Sequence, residues 1–252
     1  MIDIHCHILP GADDGSADFA ESIGMGETAA ACGVTDIIVT PHCNIPGSYS
    51  NYYGREYEEA FSELEELFRQ HGINVALHRG MEVFGTDDVA RLYDTRSVIT
   101  LAGSRYILVE FDFSDDAWRV REVLLQLLRR GLTPIIAHPE RYDMVQYDIQ
   151  FALDWADMGC LLQLNRTSLL GNANDPVNKT AYSLLELRAA HAIATDAHGV
   201  LSRTTDLFEA FDRIACTYGE EWAKLLTEEN PRRILENRRV RRLPKLENGW
   251  EY

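Results

Sequence analysis

Short apolar runs alternate along the chain with longer stretches of helical period. Seven of the runs read as strands: Ile2 to His7, Thr35 to His42, Asn74 to Val83, Tyr106 to Phe113, Thr133 to His138, Cys160 to Asn165 and Ala192 to His198. Between them, Tyr57 to Phe68 and Ala117 to Leu128 are amphipathic, the second with Val120, Val123, Leu124, Leu127 and Leu128 as its apolar set. Strand–helix alternation over most of the chain predicts an α/β fold, a parallel sheet with helices outside, closed into a barrel. Gln70-His71-Gly72, Arg129-Arg130-Gly131 and Asp157-Met158-Gly159 read as helix C-caps feeding the next strand. The length of 252 residues and the 46% hydrophobic content suit one large domain better than two small ones. The basic run Arg238-Arg239-Val-Arg241-Arg242 and the residues after it, 238–252, read as a solvated helix end and tail.

Chemistry collects at the ends of these runs. His5 and His7 are two apart on a strand, so their imidazoles share a face. Later runs close in His42, Glu82, Glu110, His138 and the pair Asp196/His198. The C-terminal ends of barrel strands form the reactive face, and imidazoles gathered there with carboxylates point to divalent metal. Mixed nitrogen and oxygen ligands fit manganese, iron or zinc better than calcium or magnesium, and the lack of a thiolate set disfavours a structural zinc. Cys6 and Cys43 are read as packing residues, and His71, His78 and His191 lie outside the strand-end pattern. Asp13 and Asp14 sit in good turn chemistry, Gly11-Ala-Asp-Asp-Gly15, which is compatible with a ligand role. Asp3 shares parity with His5 and His7 and is expected to orient an imidazole.

Composition narrows the function. With Lys+Arg 24 against Asp+Glu 40 the net charge is −16, which argues against a nucleic-acid surface. No apolar stretch approaches ~20 residues, so membrane insertion is not expected. The chain opens directly on a ligand-bearing strand without an export pattern, and its five Cys form no CxxC pair. A cytoplasmic protein with reduced thiols is therefore expected.

One rival signature needs weighing. Cys160-Leu-Leu-Gln-Leu-Asn-Arg166-Thr167 matches the C-x5-R-[ST] pattern of cysteine-dependent tyrosine phosphatases. That chemistry needs a curled loop of backbone N–H groups around phosphate, whereas this segment has no Gly and reads as a buried strand. Extended, it separates thiol and guanidinium by ~20 Å. The match is read as coincidence.

Several blocks carry a resemblance: Asp3-Ile-His-Cys-His-Ile-Leu-Pro-Gly-Ala-Asp-Asp-Gly15, Thr40-Pro-His42, Gly80-Met-Glu82, Leu108-Val-Glu110, Ala137-His-Pro-Glu-Arg141, Gln163-Leu-Asn165, Thr195-Asp-Ala-His198 and Asn230-Pro-Arg-Arg-Ile-Leu235. Over essentially its whole length the chain resembles the PHP superfamily, and within it the bacterial manganese-dependent tyrosine phosphatases encoded with capsule and exopolysaccharide genes. The resemblance implies a single domain over residues 1–252, a distorted seven-stranded TIM-like barrel and three divalent ions, usually manganese. Carried onto this sequence, His5, His7, Glu82 and Asp196 would hold one ion. Glu82 would bridge to a second held by Glu110 and His138, and Asp14, His42 and His198 would supply the third.

The implied reaction is hydrolysis of phosphotyrosine on a protein, in the family the tail of a bacterial tyrosine kinase controlling polysaccharide synthesis. Arg141 and Arg203 are expected to grip the phosphate, and Asp14 or His198 to assist the phenolate leaving group. Tyr49 to Tyr53 is a candidate aromatic wall. Two rivals are a histidinol-phosphate or other small-molecule phosphoesterase, which would need a more enclosed site, and a silent metal-binding module, which would lack a ligand.

Overall fold

The computed structural model describes residues 1–243. Its strands are β1 (Ile2–Cys6), β2 (Asp36–Val39), β3 (His42–Cys43), β4 (Ala76–Arg79), β5 (Glu82–Phe84), β6 (Tyr106–Glu110), β7 (Thr133–Ala137), β8 (Leu161–Asn165) and β9 (Ala192–Ala194). They form two parallel sheets, ordered β1-β2-β4 and β3-β5-β6-β7-β8-β9. The parallel α/β architecture is as the alternation predicts, but the single ring is drawn as two sheets.

Two of the seven expected strands are each broken in the middle. The second splits into β2 and β3 at Thr40-Pro41, where Pro41 has no N–H for the ladder and its carbonyl accepts the Glu82 N–H at 3.1 Å. The third splits into β4 and β5 at Gly80-Met81. A Cβ on Gly80 would lie 2.6 Å from the Ile38 side chain and 2.9 Å from that of Leu101, so the two strands approach there only because Gly80 has no side chain. The β1 edge meets the chain just beyond β9, with Asp196 N–H donating to the His5 carbonyl and His7 N–H to the Ala197 carbonyl, both at 2.9 Å.

Alternation along the strands sorts side chains into two buried clusters. Ile2, Ile4, Leu108, Ile135, Ala137, Leu161 and Ala194 fill the inner one. Ile107, Val109, Ile136, Leu162, Leu164 and Ile193 face the helices. Among those helices, Arg55–Gln70 buries Tyr57, Phe61, Leu64 and Phe68, and Ala117–Leu128 buries Val120, Val123, Leu124 and Leu127. Each such side chain contributes ~1.5–3 kcal/mol on burial. The Asp116 carboxylate caps the second helix by accepting from the N–H groups of Trp118 and Arg119.

After the last helix, Asn230–Leu235, the chain returns across the starts of the strands. The Tyr106 hydroxyl donates to the Arg238 carbonyl at 2.7 Å, Asn230 Nδ2 donates to the Arg241 carbonyl at 2.8 Å, and Leu243 is buried. Of the segment expected as a tail, 238–243 is thus bound to the body, and 244–252 lies outside the described residues. No helix among the described residues is long and apolar enough to cross a membrane.

Candidate metal centre

The site begins with a defect in β1. Pairing with β2 shifts register between Asp3 and Cys6. Ile2 and Ile4 therefore join the inner cluster, yet Cys6 joins the outer one, and His5 and His7 point into the site. The same shift corrects the expectation for Asp3, since strict alternation no longer relates it to the His rings. Its carboxylate instead accepts from the N–H groups of His5 and Thr195 and from the Thr195 hydroxyl.

Other groups orient the two rings. His5 Nδ1 donates to Gln163 Oε1 at 2.8 Å, and His7 Nδ1 lies 2.8 Å from Asp13 Oδ2. Gln163 Nε2 donates to Asn165 Oδ1 at 2.8 Å, which leaves Oε1 to accept. With both Nδ1 atoms acting as donors, the Nε2 lone pairs turn inward and face each other at 3.1 Å. Opposed lone pairs repel unless positive charge lies between them.

Carboxylates and further imidazoles surround that point. Glu82 Oε1 is 3.2 Å from His5 Nε2, Glu82 Oε2 is 3.4 Å from His7 Nε2, and Asp196 Oδ1 is 3.4 Å from both rings. His138 Nε2 approaches Glu82 Oε1 at 3.2 Å and Glu110 Oε1 at 3.4 Å. His42 reaches Glu82 with Nδ1 (2.8 Å) and Asp14 with Nε2 (3.4 Å), and His198 Nε2 reaches Asp14 at 3.5 Å. Donor atoms close enough to share an ion form four overlapping groups: His7-Asp14-His42-His198, His5-His7-Asp196, His5-Glu82-His138 and His42-Glu82-Glu110. All nine residues singled out as ligands from the sequence fall in these groups. They overlap more than the expected partition, because His5, His7 and His42 each belong to two.

The donor set fits divalent cations on one further ground. His42 Nδ1, Glu82 Oε2 and His198 Nε2 are buried without a hydrogen-bond partner, a costly state that a cation at the cluster would relieve.

Burial works against charge on the His5 and His7 rings, but Glu82 and Asp196 raise the first and Asp13 raises the second, so without metal these rings hold protons that a cation would replace. Burial pushes the Glu110 carboxyl up to about 9, with repulsion from Glu82 and Asp196 adding to it. Burial acts the same way on Glu82, but the His5 and His42 rings outweigh it and hold this carboxyl well below its ordinary value. Burial lowers His138 and His198, which favours their neutral, ligating forms. Protons alone thus leave the carboxylates in conflict, which divalent charge would resolve.

Two candidate ligands sit on unusual backbone. His138 has φ 33° and Asp196 φ 50°, both left-handed. Such residues cost on the order of 1–3 kcal/mol and persist where surrounding structure fixes them. Here the turn re-aims each side chain as its strand ends.

Beside Asp196 opens a cleft of about 270 Å³ whose lining includes Arg141, Thr167, Ser168, Asp196 and Arg203. Arg203 Nη2 and Asn165 Nδ2 each donate to Asp196 Oδ2 at 2.6 Å, and Arg141 Nη1 lies 3.7 Å from the same oxygen. Arg141 also lies over the Phe113 ring, 4.3 Å from its centroid. Behind them, buried Glu140 accepts from the Asn165 N–H at 2.8 Å. Tyr49 stacks on His42, ring centroids 5.9 Å apart, whereas the Tyr53 hydroxyl bonds to Glu58 away from the cluster.

Residues set aside from the sequence also stay apart. His78 pairs with Asp36, and His71 and His191 join none of the donor groups among the described residues. Cys160 and Arg166 lie at opposite ends of β8; burial pushes the Cys160 thiol up to about 12, and Arg166 pairs with Glu209. Sequence reasoning weighed Asp13 only as a turn residue or ligand, not as the partner of the His7 ring, and gave Gln163 no role of its own. The signal for Gln163 was its place within an otherwise apolar strand, and that for Asp13 its position next to Asp14.

Parallel strands ending in converged imidazoles and carboxylates define the class: an α/β protein with a candidate site for several divalent ions, built at the C-terminal strand ends. The chain belongs to the family described as "Capsular polysaccharide synthesis, CpsB/CapC", whose model matches residues 1–236. It is 32% identical to the tyrosine-protein phosphatase YwqE of Bacillus subtilis, over 97% of this chain and 95% of that one. It is 31% identical to the tyrosine-protein phosphatase CpsB of Streptococcus pneumoniae, over 93% and 98% respectively. Among solved structures, one of YwqE and CpsB, described as unique metal-dependent tyrosine phosphatases, aligns with a TM-score of 0.89 at 31% identity, covering 97% of this chain and 98% of that chain. The lactonase Lmo2620 from Listeria monocytogenes shares the fold, with a TM-score of 0.61 at 12% identity over 93% and 94% of the two chains.

Proposed function

We propose that this protein is a metal-dependent phosphotyrosine-protein phosphatase. Its substrate would be a phosphorylated bacterial tyrosine kinase that regulates capsular or extracellular polysaccharide synthesis. The observation that carries the reading is the convergence of nine ligand-type side chains beside two arginines, in a member of a family whose curated relatives are tyrosine phosphatases. We assign three divalent ions, manganese first, to His5, His7, Glu82, Asp196, Glu110, His138, Asp14, His42 and His198. The two sheets are read as arcs of one distorted seven-stranded barrel, and the residues through 252 as one domain. The backbone hydrogen bonds between β1 and the chain after β9 support that reading.

Bound there, divalent ions supply a water nucleophile of lowered pKa and neutralise phosphate oxygens. The remaining roles belong to the chain. Arg141, steadied by Phe113, presents a planar pair of donors to the phosphate from one side, and Arg203 does so from the other. Asp196 divides its oxygens, Oδ1 towards the His rings and Oδ2 towards the arginines, and so ties the two halves of the site together. Asp14 and His198, whose Nε2 lies 3.5 Å from the Asp14 carboxylate, are assigned to assist the leaving phenolate, which with pKa ~10 needs little help. Tyr49 flanks the substrate ring.

Turnover of a phosphotyrosine peptide, histidinol phosphate and a phosphodiester by one preparation tests the assignment. Preference for the peptide is expected; preference for either other substrate overturns it.

A further inference from the structure

The opposite end of the sheet carries a second, unrelated concentration of charge. Tyr106, Thr133, Leu161 and His191, at or just before the starts of β6, β7, β8 and β9, line a cavity of about 760 Å³, far larger than the cleft beside Asp196. Arg105, Arg233, Arg239, Arg241 and Arg242 line it as well, and among the described residues no carboxylate does. In a chain of net charge −16 such an arrangement is not expected from composition. Arg241 pairs with Glu229 at 2.8 Å, and Arg242 lies 3.8 Å from Asp157. Arg105, Arg233 and Arg239 have no acidic partner among the described residues.

Two of these guanidinium groups are held in place. Arg105 donates twice to Asn237, at 3.0 Å to Oδ1 and 2.7 Å to the carbonyl, and Arg233 Nη1 donates to the Arg239 carbonyl at 3.2 Å. The cavity also has a buried polar wall. His191 is 5% exposed, and its Nδ1 accepts the Leu162 N–H at 3.2 Å, so its proton is on Nε2. Ala156, Gly159, Cys160 and Leu161 supply apolar surface beside it.

We propose that this cavity is a non-catalytic binding site for a small molecule that joins a diphosphate to an apolar or flat body, of nucleotide size. A terminal diphosphate carries roughly three negative charges, matching the three guanidinium groups without acidic partners. The volume falls within the ~300–1,000 Å³ of small-ligand sites, and the apolar wall beside His191 suits a base or similar ring. The strands separating the two sites are five residues or fewer, so the sites are ~16 Å apart. The inference does not depend on the phosphatase reading.

ADP serves as the probe, titrated calorimetrically into the full chain in excess chelator, with pyrophosphate alongside. One ADP should bind per chain, more tightly than pyrophosphate and more weakly as salt rises. Arg233→Ala and Arg239→Ala should each weaken binding at least ~10-fold, worth ~1.4 kcal/mol. Arg239 is exposed, so its variant should keep the parent's unfolding midpoint. Arg141→Ala should leave ADP affinity unchanged. Absence of ADP binding, parental affinity in either cavity variant, or loss of binding in Arg141→Ala overturns the proposal.

Discussion

His5 and His7 face each other through Nε2 atoms 3.1 Å apart, while their Nδ1 atoms are committed to Gln163 and Asp13. Two buried rings oriented in this way have no favourable neutral arrangement. The cluster is therefore expected to be a large reservoir of metal-dependent stability. An ion present at 1,000 times its Kd stabilises by about 4 kcal/mol. Thermal unfolding in chelator and in excess Mn2+ should show a rise of several degrees with metal; no change would mean the donors do not bind it.

The two arginines are expected to separate by phenotype. Arg141 approaches Asp196 only at 3.7 Å, whereas Arg203 bonds it at 2.6 Å. Arg141→Ala should lower turnover about 10²–10³-fold, with metal content intact. Arg203→Ala should lower both, because Asp196 loses a partner. Elemental analysis beside steady-state kinetics checks this, and metal loss in Arg141→Ala would contradict it.

Gly15 matters although it carries no donor. A Cβ there would lie 2.2 Å from the His7 carbonyl oxygen and 2.4 Å from the His7 Cβ. Backbone must shift to admit it, and the turn supplies Asp13 and Asp14. Gly15→Ala should cost about 1–3 kcal/mol and reduce metal binding. A variant with wild-type metal content and stability would show that the turn tolerates movement.

His191 should make the fold acid-sensitive away from the metals. Burial, with Arg242 adding to it, lowers this ring from 6.5 to about 4. Between those values the unfolded chain binds the proton and the native state does not, so stability falls as pH drops through that window. The full effect is on the order of 3 kcal/mol. In chelator, His191→Gln should flatten the stability–pH slope between pH 6.5 and 4, as measured by urea unfolding; a slope equal to wild type would refute this.

Cys160 makes the converse case. Its thiol is pushed up to about 12 by burial, and Arg166 is paired elsewhere. Cys160→Ser should change turnover less than about twofold. A collapse of activity with an unchanged fold would revive the cysteine mechanism.

The candidate ligands were legible because a parallel strand ends where its side chains meet those of its neighbours, so His42, Glu82, Glu110 and His138 could be placed by pattern alone. The break at Pro41 follows from a missing N–H, but the one at Gly80 was harder to see, since it depends on how closely two strands approach. Asp3 shows the limit of strict alternation: one shift of register in β1 moved its carboxylate to Thr195 and left ring orientation to Asp13 and Gln163. Those roles depend on contacts between distant segments, which periodicity does not encode. The arginine-lined cavity likewise forms only when Arg105 meets the returning C-terminal segment.

Turnover of a phosphotyrosine peptide by chelated protein, followed as Mn2+ is added back, tests the central claim most directly. Activity should be absent in chelator and return in step with metal bound at the His5–His7 cluster, with no recovery in Glu82→Ala. Undiminished hydrolysis by the metal-free protein would contradict the account.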